Sequence, residues 1–158
     1  MLISGKSLIM EIDGLSAALI TDGLETRVIG QRVIYYPNIA STMNVARKEA
    51  QRGAAEGTAV IAEEQSAGRG RRKRAWLSPK GSVALSLILY PGMPQLPYLN
   101  MLASVAVARS IESVTGLKTQ LKWPNDVLIN GKKVSGILIE NELHAGQVAW
   151  AIIGIGIN

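Results

Sequence analysis

Between Glu63 and Trp76 the chain reads Glu-Glu-Gln-Ser-Ala-Gly-Arg-Gly-Arg-Arg-Lys-Arg-Ala-Trp, and Arg69, Arg71, Arg72, Lys73 and Arg74 are cationic. The net charge of the whole chain is 17 − 12 = +5, so these residues account for all of the excess. Guanidinium forks bind carboxylates and phosphates through paired hydrogen bonds. Several forks on one short loop could therefore hold two anions side by side and remove their mutual repulsion. Gly68 and Gly70 are expected to let the backbone take left-handed angles and bring N–H groups close to an anion. Trp76 offers a flat indole face beside the cations. Taken alone, the run reads first as a solvated basic loop or a nucleic-acid patch, since short Lys/Arg runs often are just that.

Other residues with chemistry to offer stand at element ends. Ser41 and Thr42 precede an amphipathic helical stretch, where capping its first N–H groups is the simplest role. Lys122 opens Lys-Trp-Pro-Asn-Asp, a turn in which Asn125 and Asp126 read first as turn formers. His144 is the only histidine and there is no cysteine. A thiolate metal site, a cysteine nucleophile or a disulfide framework is excluded, and a histidine-based zinc site or Ser-His-Asp relay is hard to build. His144 itself is expected to be an exposed turn residue.

The elements that must position these residues follow from periodicity. Length and 47% hydrophobic content suit one globular domain. No stretch reaches the roughly 18 apolar residues of a membrane span. The first ten residues do not read as a secretory signal, and a cytoplasmic, soluble protein is expected. Asp13 to Asp22 predicts a short helix capped by Asp13, with Leu15, Ala18 and Leu19 on one face and Gly23 closing it. Arg27 to Tyr36 predicts a strand buried on both sides and ending at Pro37. Thr42 to Arg52 predicts a helix with Met43, Ala46 and Ala50 inward. Strands are predicted at 58–63, 75–78 and 83–90. The longest helix is predicted over 98–115, with Leu99, Leu102, Val105 and Ala106 as its apolar face and Gly116 ending it. Asn130-Gly131 between β-rich runs is a hairpin signal, and Ala145-Gly146 marks another turn. Together these predict an α+β fold, a mixed and mainly antiparallel sheet with helices on one face.

Four segments in order carry a family resemblance. Lys122-Trp123-Pro124-Asn125-Asp126, continuing as Gly131-Lys132-Lys133-Val134-Ser135-Gly136-Ile137-Leu138-Ile139-Glu140, resembles the signature of biotin protein ligases. Gly68-Arg69-Gly70-Arg71-Arg72 resembles their biotin loop, Ser41-Thr42 their Ser-Thr pair, and Gly154-Ile155-Gly156-Ile157-Asn158 their Gly-x-Gly-x-Asn segment. The resemblance implies a central domain related to class II aminoacyl-tRNA synthetases, over residues 28–158, with 1–27 as a helical lead-in. It implies ATP-dependent activation of biotin to biotinoyl-5′-AMP and transfer to a lysine of a biotin carboxyl carrier protein, with Mg2+ accompanying ATP. It places Ser41, Thr42, Met43, Gln65, Gly68, Arg69, Gly70, Arg71 and Lys122 around biotin. Arg71, Arg74, Trp76, Lys122 and Asn158 fall around ATP, with Lys122 and Arg69 catalytic. The loop is expected to be mobile when empty and to order over the adenylate.

Alternatives remain. A lipoate-protein ligase shares the chemistry, and a catalytically impaired biotin-binding remnant would share the site. Lys73 stands where many relatives have glycine, and Met43 where many have asparagine. The segments that usually follow Asn158, including a small β-barrel, are expected to be absent, as is an operator-binding N-terminal module. The strand 147–157 is accordingly expected to leave an apolar edge open, so that the chain self-associates, keeps biotin recognition better than ATP recognition and ligates slowly.

Overall fold

A computed structural model describes residues 15–158. Seven strands form one sheet: β1 (Val33–Ile39), β2 (Ala59–Gln65), β3 (Val83–Leu89), β4 (Gln120–Lys122), β5 (Asp126–Ile129), β6 (Lys132–His144) and β7 (Gln147–Ile157). Their spatial order is β1-β2-β3-β7-β6-β5-β4. Only β1 and β2 are parallel, because helix α2 (Thr42–Gln51) crosses between them; the other neighbours are antiparallel. The mixed α+β class predicted from the sequence is the one observed.

The helices cover both faces rather than one. Along β7, Trp150 and Ile152 pack with Met43, Ala46 and Ala50 of α2. Ala151 and Ile153, pointing the other way, pack with Leu99, Ala103, Val107 and Ile111 of α3 (Leu99–Thr115). A strand sends alternate side chains to opposite faces, so one strand can anchor two cores. Ile88, Ile137 and Ile152 are fully buried, each stabilising the fold by about 1.5–3 kcal/mol.

β7 is a central strand, flanked on its two sides by β3 and β6. The open apolar edge expected there does not exist; the edges are β1 and β4. β1 begins only at Val33 and runs through Pro37 to Ile39. Its place at the edge explains both its half-burial and its tolerance of a residue without an N–H. Residues 75–78 form two isolated bridges, Gln65 to Ser78 and Arg69 to Ala75, instead of a strand. In α3 the buried face is Leu99, Ala103, Ser104, Val107, Ala108 and Ile111, while Leu102 is 57% exposed. That helix is apolar on much of its circumference, so periodicity alone fixed its phase poorly. α1 (Ala17–Thr21) is shorter than predicted and is capped by the Ser16 hydroxyl, with none of its residues buried; Asp13 lies outside the described residues. His144 is exposed as expected, but as the last residue of β6, paired with Gln147.

Both hairpin turns follow their sequence signals. Asn130 and Gly131, and then Ala145 and Gly146, take successive positive φ angles, the pattern of a two-residue turn between twisted strands.

Candidate active site

A cavity of about 400 Å3 opens on the α2 face of the sheet, within the roughly 300–1,000 Å3 of small-molecule sites. Its floor is made of glycine. A Cβ on Gly154 would stand 2.7 Å from Met43 Sδ, one on Gly156 2.3 Å from Trp76 Nε1, and one on Gly136 2.9 Å from the Trp76 ring. Side chains at these three positions would push Met43 and Trp76 off the sheet.

At one end stands the N-terminus of α2. Ser41 is its N-cap by position, but its hydroxyl makes no capping bond. The cap comes instead from β2: the Thr42 N–H and the Thr42 hydroxyl both donate to Gln65 Oε1, at 2.8 and 3.0 Å. Ser86 Oγ, fully buried on β3, donates to Thr42 Oγ1 at 2.8 Å. Capping by Ser41 and Thr42 side chains, the simplest sequence reading, is therefore replaced by a network that fixes Gln65 and leaves Ser41 facing the cavity.

The basic loop forms the wall. It closes on itself through Gly70 N–H to Arg74 O at 2.7 Å and Trp76 N–H to Gly68 O at 2.9 Å. The residues in the left-handed region are Arg72 (φ 55°) and Lys73 (φ 61°), not Gly68 and Gly70. Gly68 is required for a different reason: its Cβ would lie 2.4 Å from the Trp76 carbonyl oxygen. Two side chains tie the loop to the sheet and to the turn after β4. Arg69 pairs with Glu140 of β6 at 3.1 Å, and Arg71 Nη1 donates to Asn125 Oδ1 at 2.9 Å.

The opposite wall is the Lys122–Asp126 turn. Lys122 ends β4, and the Asn100 side chain in the first turn of α3 donates to the Pro124 carbonyl, fixing the turn to the helix. Lys133 Nζ lies 2.7 Å from Asp126 Oδ1 and 5.2 Å from the centroid of the Trp76 ring, a cation–π approach. The Trp76 Nε1 hydrogen is buried without a partner.

Of the residues singled out from the sequence, Ser41, Thr42, Met43, Gln65, Arg69, Gly70, Arg71, Arg74, Trp76 and Lys122 all line this cavity. Gly68, in the same loop, does not line it, and neither does Asn158, which is turned to Leu77 and donates Nδ2 to its carbonyl at 3.1 Å. The sequence reading gave no role to Lys133, Gly136, Gly154 or Gly156. Their signal was present in the quoted motifs, as glycines at alternate strand positions and a cation at a hairpin end.

Residues 35–158 match the biotin/lipoate A/B protein ligase family. The chain belongs to this family. Within it, the chain is 48% identical over 157 residues to the bifunctional ligase/repressor BirA of Bacillus subtilis, covering 98% of this chain and 48% of that protein. It is 43% identical over 103 residues to the biotin–[acetyl-CoA-carboxylase] ligase of Paracoccus denitrificans, 63% of this chain and 43% of that one. The chain thus spans about half the length of the curated relatives it matches. Among solved structures, the biotin protein ligase of Leishmania major in complex with biotinyl-5-AMP superposes with a TM-score of 0.71 and 32% identity, over 81% of this chain and 57% of that one. The Aquifex aeolicus biotin protein ligase in complex with biotin and ATP gives 0.62 and 36%, over 81% and 52%.

Proposed function

We propose that this chain houses a site at which ATP activates biotin to biotinoyl-5′-AMP and from which biotin passes to a lysine of a biotin carboxyl carrier protein. The observation that carries the reading is the lining of the cavity: Arg69, Arg71, Arg72, Arg74, Lys122 and Lys133 converge on it, against the single carboxylate of Asp126 among the described residues. Such a charge balance suits the meeting of two anions.

In the proposed reaction a biotin carboxylate oxygen attacks the α-phosphorus of ATP, and the bond to pyrophosphate breaks. A lysine amine of the carrier then attacks the acyl carbon, AMP leaves and the amine loses a proton. The protein's contribution is to align anions that repel one another and to stabilise charge growing on phosphate oxygens. Arg69, Arg71 and Lys122 would hold the carboxylate and the α-phosphate, with Lys133 as a fourth cation. Ser41, Met43 backbone and the Gln65 amide would receive the neutral ureido ring. Gln65 Oε1 is already occupied by Thr42, so its free Nε2 hydrogens are the group on offer. Arg74 and Trp76 would take the nucleotide, and Asn158 would reach adenine only by leaving Leu77.

Mg2+ would enter as the counter-ion of ATP; among the described residues no cluster of three His, Cys, Asp or Glu side chains forms a cage for it. No helix among the described residues is long and apolar enough to cross a membrane. A cytoplasmic setting, where ATP is plentiful, and a division of the chain into a lead-in (1–27) and a catalytic region (28–158) belong to the same proposal. The loop's arginines line a cavity and are not spread over an open face, which favours a small anionic ligand over a nucleic-acid surface. Biotin-dependent exchange of labelled pyrophosphate into ATP tests the reading. Exchange is the expected result, and its absence despite measurable biotin binding would reduce the site to a binding remnant.

A further inference from the structure

Arg69 meets Glu140 at two points: Nη1 lies 3.1 Å from Oε1, and Nη2 donates to Oε2 at 3.3 Å. The same Oε2 also accepts from Arg47 Nη2, on the second turn of α2. Arg69 lines the cavity, whereas Glu140 and Arg47 do not. The carboxylate therefore grips the guanidinium from outside the site. We propose that Glu140 is a positioning residue for Arg69, and that Arg47 is the residue that allows this without cancelling the charge of Arg69.

An arginine on a glycine-rich loop must be ordered before it can bind an anion well, and a two-point carboxylate contact orders it. A lone carboxylate, however, would neutralise it and leave a site less attractive to an anionic ligand. With Arg47 on the same oxygen the group of three carries a net charge of +1, and Arg69 keeps both its orientation and its field. All three side chains are partly shielded, at 37%, 37% and 24% exposure for Arg47, Arg69 and Glu140, so the pairing is less screened than an open surface bridge. Arg47 also lies within the helix whose N-terminus bounds the cavity, which couples loop position to α2.

This inference rests on the anion-binding reading of the site, and its test separates the two. Four proteins are compared: the parent, Arg47→Ala, Glu140→Gln and the double variant. Trypsin cleavage after Arg69, Arg71, Arg72, Lys73 or Arg74 reports whether the loop is held, and calorimetric titration with biotin and, separately, with inorganic pyrophosphate reports anion affinity. Glu140→Gln should raise the cleavage rate about tenfold, the loss of one charge-assisted contact. Arg47→Ala should leave cleavage within about threefold of the parent, yet weaken anion binding about tenfold. In the Glu140→Gln background, Arg47→Ala should have no further effect on affinity. Glu49→Gln breaks a similarly built pair, Arg32–Glu49–Arg52, formed by residues that do not line the cavity, and should change neither readout. If Arg47→Ala fails to fold, Arg47→Gln runs the same cycle. Equal losses from Arg47→Ala in both backgrounds, or unchanged cleavage in Glu140→Gln, would overturn the proposal. A parent that binds pyrophosphate but not biotin would instead sink the functional reading, while the cleavage and pyrophosphate arms still decide the role of Glu140.

Discussion

Arg71 and Asn125 lie 54 positions apart in sequence, yet the guanidinium of one donates to the side-chain carbonyl of the other at 2.9 Å. The same amide donates Nδ2 to the Ile137 carbonyl, also at 2.9 Å, and the Asn125 carbonyl accepts from the Ile137 N–H. One asparagine thus clasps the basic loop, the Lys122–Asp126 turn and β6 together.

Asn125→Asp separates these functions. An aspartate still accepts from Arg71 but confronts the Ile137 carbonyl with a second acceptor. The variant should lose about 1 kcal/mol of stability, the net worth of a hydrogen bond at a half-buried site, and keep more loop order than Asn125→Ala. Urea denaturation and tryptic cleavage of the loop, measured on both variants, check this; equal stability to the parent would show the Ile137 bond to be dispensable.

Trp76→Ala should weaken ATP binding far more than biotin binding, because only the nucleotide has a flat ring to stack on the indole. Gly156→Ala should imitate it, since the added methyl would occupy a point 2.3 Å from Trp76 Nε1 and force the ring to move. Separate titrations with the two ligands decide: equal losses would make Trp76 a packing residue and not a platform for the base.

Arg69→Ala and Lys122→Ala should each reduce adenylate formation by about 2–4 kcal/mol in transition-state terms, by analogy with loss of an oxyanion donor. Lys133→Ala should fall in the same range, with added loss from freeing the Asp126 carboxylate inside the cavity. Single-turnover formation of the adenylate measures all three. Near-parental rates for Lys122→Ala would remove it from the mechanism and leave Lys133 as the lysine that acts.

Stability should carry an acid-sensitive component at the end of α3. Glu112 accepts from the Thr119 N–H at 2.8 Å and from its hydroxyl at 2.9 Å, and these bonds, the backbone one first, lower its pKa from the usual 4.5. A lowered folded-state value means that the contribution is complete above the ordinary value and disappears as pH falls through the lowered one. Glu112→Gln should therefore melt below the parent at neutral pH, with the gap closing in acid. A gap that widened in acid would contradict the assignment.

What could be read in the sequence was what depends on neighbours in the chain. The two hairpins, the α2 span and the loop between β2 and Trp76 follow from turn chemistry and period, and the loop's arginines announce their chemistry without a fold. What could not be read depends on partners distant in sequence. Nothing local says that β7 lies between β3 and β6, or that Glu140 will meet Arg69 and Arg47. Nor could the phase of α3 be chosen when Leu102 and Val107 are both apolar and only one of them is buried. Gln65 gives the same lesson on a smaller scale: its capping of α2 from another strand displaced the local capping that Ser41 and Thr42 would suggest.

β7 gives one strand two opposite design rules. Toward α2 it carries Gly154 and Gly156, where any gain in bulk meets Met43 or Trp76; toward α3 it carries the buried Ile153 and the partly buried Ile155 and Ile157, where loss of bulk gives up core packing. Tolerance to substitution along 153–157 should consequently alternate like a barcode, with positions that reject larger residues interleaved with positions that reject smaller ones. It also follows that a single-residue insertion or deletion here would exchange the two patterns, filling the cavity with isoleucine and emptying the core in one step. Reshaping of the cavity would accordingly fall to the α2 N-terminus, Gln65, the basic loop and the Lys122–Asp126 turn, since this strand has little freedom to give.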